Sequence, residues 1–143
     1  MDEGLGERFG SGSDLIQEAS ALAMRHFERF DSLVVTHKGR QDIASMADLE
    51  TAWFIRGRLA DRFPEDAFLG DETGRSEVIG RKGVWVVDPI DGSQAFLLGM
   101  SDSCVSTAYL REGVTEMGFV SAPARDESFV CRRGAAGARS ETP

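Results

Sequence analysis

Trp85-Val86-Val87-Asp88-Pro89-Ile90-Asp91-Gly92-Ser93 joins an apolar run to two carboxylates three residues apart and then to a glycine. Val84 to Val87 read as a buried strand. Pro89 fixes φ and keeps Asp88 out of the helical region, and Gly92 supplies the turn from which a helix can start. Both acids therefore belong to the carboxyl end of a strand. The amides from Gly92 onward would face outward at a helix start, where they can take a phosphate oxyanion while the carboxylates take Mg²⁺. Taken alone, the same two aspartates also suit plain turn and cap duties.

Upstream of this corner the pattern is helical. Leu15, Ile16, Ala19, Leu22, Ala23 and Phe27 recur at three- and four-residue steps, with Ser13 or Asp14 placed to cap the segment. Met1 to Ser13 is rich in glycine and charge and reads as a loose lead-in. A second helix is expected from near Ala47, with Leu49, Ala52, Ile55, Leu59 and Phe63 along one stripe and an end before Pro64. The remainder reads as short strands at 67–69, 84–87, 104–110, 115–120 and 128–132, separated by Gly, Pro, Asp and Arg-Glu-Gly turns. Thr73 to Lys82 is polar and glycine-flanked and reads as a mobile loop. Two amphipathic helices followed by strands imply an α+β fold, and the last three strands, joined by turns too short for crossover helices, make the sheet that the helices cover mainly antiparallel.

Composition narrows the function classes. At 143 residues the chain suits one compact domain, since domains commonly run to about 100–150 residues. A net charge of −8 disfavours nucleic acid and anionic membranes as partners and favours a local acidic pocket that attracts cations. Without an apolar run near the roughly 20 residues of a membrane span, or a signal core, the expectation is a cytoplasmic protein. Cys104 and Cys131 form no Cys-x-x-Cys pair and read as reduced, packed thiols. His26 lies on the first helical stripe, and His37 has no partner at metal-site spacing, so both read as structural.

Three segments in order, Lys38 to Asp48, Phe68-Leu69-Gly70-Asp71-Glu72-Thr73 and Asp88-Pro89-Ile90-Asp91-Gly92-Ser93, resemble the pattern of the inositol monophosphatase-like metal-dependent phosphatases, whose signature reads D-P-[IL]-D-G-[ST]. The resemblance covers roughly Asp14 to Ala138. It implies the first half of the αβαβα fold of that family: a lead-in at 1–13, an amino-terminal phosphatase domain at 14–138 and a tail at 139–143, with the carboxyl-terminal α/β half absent.

The same resemblance implies a Mg²⁺-dependent phosphomonoesterase in which water activated by two or three magnesium ions attacks a small-molecule phosphate monoester. Lithium inhibition and a homodimer follow from the family as well. Carried over residue by residue, Glu72, Asp88 and the Ile90 backbone carbonyl would hold one ion. Asp88 would bridge to a second ion held with Asp91, and Glu72 would also be catalytic. Asp48 paired with Ser93 would orient and deprotonate the water, a general-base role through a hydroxyl relay. Asp91 and the amides of Gly92 and Ser93 would hold the phosphate. For Asp48 the residue-level alternative is a first-turn helix acid favoured by the dipole. Two departures from the pattern keep the needed groups: Ser93 stands where threonine is commoner, and Asp71 where the motif usually reads Gly-Glu-Glu. Rival functions are a histidinol-phosphate phosphatase, which shares these motifs, and a non-catalytic module acting through assembly.

Overall fold

The computed structural model describes residues 3–32, 37–70, 77–91 and 103–141. Helices α1 (Glu3–Ser32) and α2 (His37–Arg62) come first, then strands β1 (Ala67–Leu69), β2 (Gly83–Asp91), β3 (Cys104–Arg111), β4 (Val114–Ala122), β5 (Glu127–Arg132) and β6 (Ala138–Glu141). The six strands form one sheet in the order β1-β2-β3-β4-β5-β6. β1 and β2 are parallel and every later pair is antiparallel. This is the α+β arrangement expected from the pattern.

Three boundaries differ from the sequence reading. Helix α1 begins at Glu3, so the lead-in expected to be loose is helical from its third residue. Its apolar stripe is continued by Leu5, which is buried, and by Phe9, whose ring lies 5.8 Å from that of Phe119. Gly12 marks the closest approach: a Cβ there would come within 3.0 Å of three atoms of the Phe119 ring. The glycine that looks like a helix breaker is what lets the helix lie flat on the sheet. Ser13 and Asp14 are consequently interior, and the Ser13 hydroxyl donates to the Phe9 carbonyl one turn back rather than capping a helix start.

Helix α2 likewise starts at His37, ten residues before the expected Ala47. Its buried line is Ala47, Thr51, Ile55, Leu59 and Phe63, a strict four-residue step. Leu49 and Ala52, assigned to that stripe from sequence, are only half-buried. The third difference is β6, which pairs with β5 through Glu127↔Glu141 to Val130↔Ala138, where a tail was expected. Residues 77–82 of the expected loop are described, and Arg81 donates to the Glu65 carbonyl at 2.9 Å.

Helices cover one sheet face. Along β2 to β4 the side chains alternate: Trp85, Val87, Val105, Thr107, Tyr109, Met117 and Phe119 are buried beneath the helices, while Val84, Val86, Ala108, Leu110 and Val120 are half-buried on the other face. The run 84–87 is thus an alternating strand, not a fully buried one. Trp85 is the centre of the core, with ring centroids of Phe63, Tyr109 and Phe119 at 6.1, 4.9 and 6.3 Å.

A polar node sits beside this aromatic cluster. Arg8 Nε donates to Asp66 Oδ2 at 2.7 Å and Nη2 to Asp66 Oδ1 at 3.0 Å, while Trp85 Nε1 donates to Asp66 Oδ2 at 2.9 Å. The guanidinium stacks 4.4 Å from the Phe63 ring centre. Burial opposes its charge, but the hydrogen bond and attraction from Asp66 outweigh burial and raise the Arg8 pKa. The side chains of Arg8 and Asp66 are only 7% and 4% exposed, so neither charge has water as a fallback.

The β3–β4 hairpin closes through Glu112 (φ 52°) and Gly113 (φ 81°), with Arg111 opposite Val114. Positive φ at both loop residues is the type I′ turn that matches strand twist, and glutamate is a poor occupant of its first position.

Two stability outcomes follow. Asp66→Ala leaves the buried guanidinium to Glu65 and the Gly4 carbonyl and removes the acceptor of the indole N–H, so urea unfolding is expected to show a loss of about 3 kcal/mol, the lower end for a broken buried pair; a loss under about 1 kcal/mol would show that the pair carries little. Glu112→Asn relieves the strained turn and is expected to stabilise the fold by about 0.5–1 kcal/mol, read as a higher urea midpoint; a lower midpoint would mean that the Glu112 side chain makes a compensating contact.

Candidate functional site

β2 carries the signature acids to its carboxyl end, and the ladder there is irregular. Val87 pairs with Thr107 and Asp88 with Ser106, but the next pair is Asp91 with Cys104. β3 advances two residues while β2 advances three, so β2 holds one extra residue, a β-bulge. The physical consequence concerns faces. On a regular strand, residues three apart fall on opposite faces. The extra residue makes the spacing count as two, so the backbone of Asp91 returns to the register row of the face that Asp88 occupies. That is the sheet face away from the helices.

Pro89 explains why the bulge is there. β2 lies inside the sheet between β1 and β3, and a proline in an interior strand lacks the amide that the ladder requires. Pro89 and Ile90 have no ladder partners on β3, and Pro89 is buried.

Asp48 reaches the same end of the molecule by a different route. Phe63, at the carboxyl end of α2, stacks against Trp85 near the start of β2, so α2 runs antiparallel to β2 and its amino-terminal half lies toward Asp88. At that end the His26 ring nitrogen Nε2 and Glu50 Oε2 meet at 2.7 Å, joining α1 to α2. Ser121, on the strand beside Val105, donates to Ser20 at 2.7 Å. Asp48 and Asp88 are both half-buried. Because α2 begins at His37, Asp48 is eleven residues inside it, and the alternative of a first-turn acid is removed.

The remaining expectations meet the structure unevenly. Glu72, Gly92 and Ser93, as well as Asp71, lie outside the described residues, as do the side chains of Lys38, Ile90 and Asp91. The helix start expected after Gly92 is outside them too. Among the described residues no group of three His, Cys, Asp or Glu side chains is arranged to hold a metal ion. His26 is buried and paired with Glu50, the structural role expected of it. The two cysteines are not joined in a disulfide; Cys131 is exposed rather than packed, and Cys104 is intermediate. Among the described residues no helix is long and apolar enough to cross a membrane. A cleft of about 380 Å³ lined by Arg56, Phe63, Phe68, Arg81 and Trp85 lies near the start of β2, at the end away from Asp88. It contributes nothing to the acidic corner.

Sequence reasoning missed the bulge. The signal was available: a proline within the strand, followed by a second acid at an odd spacing.

Known proteins are similar to this chain. The chain is 37% identical over 119 residues to an inositol-1-monophosphatase of Rhizobium meliloti, an alignment that takes in 82% of the chain and 44% of the relative. It is 31% identical over 125 residues to a Nus factor SuhB of Xylella fastidiosa, covering 87% of the chain and 45% of that protein. Among solved structures, inositol monophosphatase-II from Staphylococcus aureus superposes with a TM-score of 0.79 at 26% identity, over 92% of the chain and 48% of that structure. The chain therefore spans somewhat under half the length of the curated relatives it matches. With residues 11–142 matching the model of the inositol monophosphatase family, the chain belongs to that family.

Proposed function

We propose that this chain is the amino-terminal part of a Mg²⁺-dependent phosphomonoesterase acting on a small-molecule phosphate monoester, similar to inositol monophosphatase. The observation that carries the reading is the bulged end of β2, which returns the backbone of Asp91 to the register row of Asp88. Carboxylate and carbonyl oxygens are the hard donors that Mg²⁺ takes, so the donor set fits the ion. When bound, the ions would lower the pKa of water, shield the phosphoryl oxygens and stabilise the departing alkoxide.

The chain's own groups then divide the work. Asp88 would bridge two ions, sharing one with Glu72 and the Ile90 carbonyl and the other with Asp91. Asp48, through the Ser93 hydroxyl, would orient the attacking water and accept its proton. The amides of Gly92 and Ser93 would hold the phosphate against Asp91 and its cation. A homodimer, magnesium as the resident ion, inhibition by lithium and a cytoplasmic location belong to the same proposal. Nucleic acid and membranes are not partners in it.

A second reading, a module that acts through assembly without turnover, has one observation behind it: relatives of similar identity carry the name Nus factor SuhB rather than that of a phosphatase. Histidinol phosphate is the substrate alternative within the enzyme reading.

Phosphate release from inositol monophosphate and histidinol phosphate, each with and without Mg²⁺, separates these readings. Turnover that requires Mg²⁺ on the first supports the lead reading. Preference for the second moves the assignment to histidinol phosphate, and magnesium binding without turnover on either favours the assembly module. Asp88→Asn is expected to weaken Mg²⁺ binding at least tenfold by calorimetry and to reduce any turnover by about 10²–10³-fold; unchanged cation affinity would remove Asp88 from the site.

A further inference from the structure

The cleft of about 380 Å³ at the end of the domain away from Asp88 joins apolar walls to charged side chains. Helix α2 gives it one face through Arg56, Leu59, Ala60 and Phe63, at helical steps of three and four. Pro64 and Phe68 continue the wall beyond the helix, and Trp85 on β2 closes it against the core. Leu59, Phe63 and Trp85 are buried, Phe68 is half-buried, and Ala60 and Pro64 are exposed. A recess of this volume, apolar but for a few convergent polar groups, has the form of a small-molecule site.

Charge decides what the recess can take. Its charged lining residues are Arg56, Asp66, Glu77 and Arg81. Asp66 is already matched by Arg8 at 2.7 Å and faces the cleft as half of a closed pair. Arg56 stacks 5.5 Å from the Phe68 ring centre, and Arg81 spends Nη2 on the Glu65 carbonyl. Among the described residues neither guanidinium meets a carboxylate, and both are exposed. Arg56 and Arg81 against Glu77 leave one positive charge in excess, in a chain whose total is −8. One excess charge suits a monoanion better than a phosphate dianion, and the planar guanidinium fork matches a carboxylate. The apolar walls favour a rigid ring, which brings large contact area and has few rotamers to lose.

We propose that this cleft is a binding site for a small planar aromatic carboxylate, its ring against Ala60, Phe63, Pro64 and Phe68 and its carboxylate held by Arg56 and Arg81. The site uses none of the residues assigned to phosphate-ester chemistry. It therefore stands whether or not that reading holds.

The probe is 2-naphthoate, added up to about 10 mM to the ¹⁵N-labelled 143-residue chain, with the two tryptophan indole N–H resonances as reporters. Trp85 lines the cleft, whereas Trp53 does not and is 64% exposed, so a probe that only stacks on open aromatic surface moves Trp53 instead. The Trp85 resonance is expected to shift and saturate with a Kd of about 1 mM or below, the affinity that ligand efficiency allows a fragment of this size. Neutral 2-naphthamide and ring-free acetate should each bind about fivefold more weakly or worse. Arg56→Gln should cost about fivefold with an unchanged thermal melt, since the side chain is exposed. Ala60→Trp should fill the cleft and remove binding. Mg²⁺ should leave the affinity unchanged. A Trp85 resonance that stays still to 10 mM overturns the proposal, as does an equal shift at Trp53, equal affinity for 2-naphthamide or acetate, or full affinity in Arg56→Gln or Ala60→Trp. Affinity that depends on Mg²⁺ would move the ligand to the acidic corner and overturn it as well.

Discussion

The guanidinium of Arg8, held between the carboxylate of Asp66 and the ring of Phe63, is the point at which three parts of the chain are made to agree. α1 brings the arginine, the turn after α2 brings the aspartate, and β2 brings Trp85, whose indole N–H donates to the same carboxylate. A buried ion pair need not stabilise more than an apolar substitute would. Its effect is selectivity, because any slide of α1 along the sheet leaves a buried charge unmatched, and that cost rises with every partner the group has. Glu65, exposed beside it, adds little but direction: a hydrogen bond from its own backbone holds its pKa below the usual carboxylate range, burial pushes slightly upward, and the bond from Arg8 lowers it further.

Fixing α1 at Arg8 fixes what happens a helix length away. Gly12 lies on Phe119, Gln17 reaches Ser128, Ser20 meets Ser121 and His26 meets Glu50. These contacts run in order from the start of β2 toward the end where Asp88 and Asp91 lie. α2 runs antiparallel to β2, so Asp48 is carried to that end by the same geometry. The acidic corner is thus positioned by packing at the opposite pole of the domain.

How much of this could be read from the chain depended on which signals were local. The strands were legible because their apolar and polar residues alternate between short glycine and proline turns, and the antiparallel order from β3 to β5 followed from connections too short for a crossover. The start of α1 was not legible, because four glycines within the first twelve residues argue against a helix on propensity, while the packing of Gly12 against Phe119 is tertiary and overrides propensity. The stripe of α2 was legible at Ile55, Leu59 and Phe63, which are buried, but not at its start, where Leu49 and Ala52 look like core residues in sequence and only the packed helix shows that Ala47 and Thr51 take the inner line. β6 was missed because Ala138 to Glu141 has no apolar alternation; it is a strand through its pairing with β5 alone. At the site, the motif fixed residue types, but the face on which the second acid's backbone lies depends on a bulge, which is a property of the ladder rather than of the string.

That bulge also bears on why the acids are three apart and not two. A regular Asp-x-Asp strand would put two carboxylates on one face with every intervening backbone group committed to the ladder. With one residue added, the face is kept while the ladder is released at Pro89 and Ile90, which have no partners on β3. Proline gives up no amide bond by standing there, since it has no amide hydrogen to give. What remains is a carbonyl at Ile90 outside the strand pairing, between two acids whose backbones share a face. An oxygen-binding cation needs more donors than two side chains provide, and a strand can lend a backbone carbonyl only where its pairing has been interrupted. In the proposed metal site the odd spacing and the proline between the acids would act together, the extra residue keeping the face and the proline leaving the ladder without the loss of an amide bond.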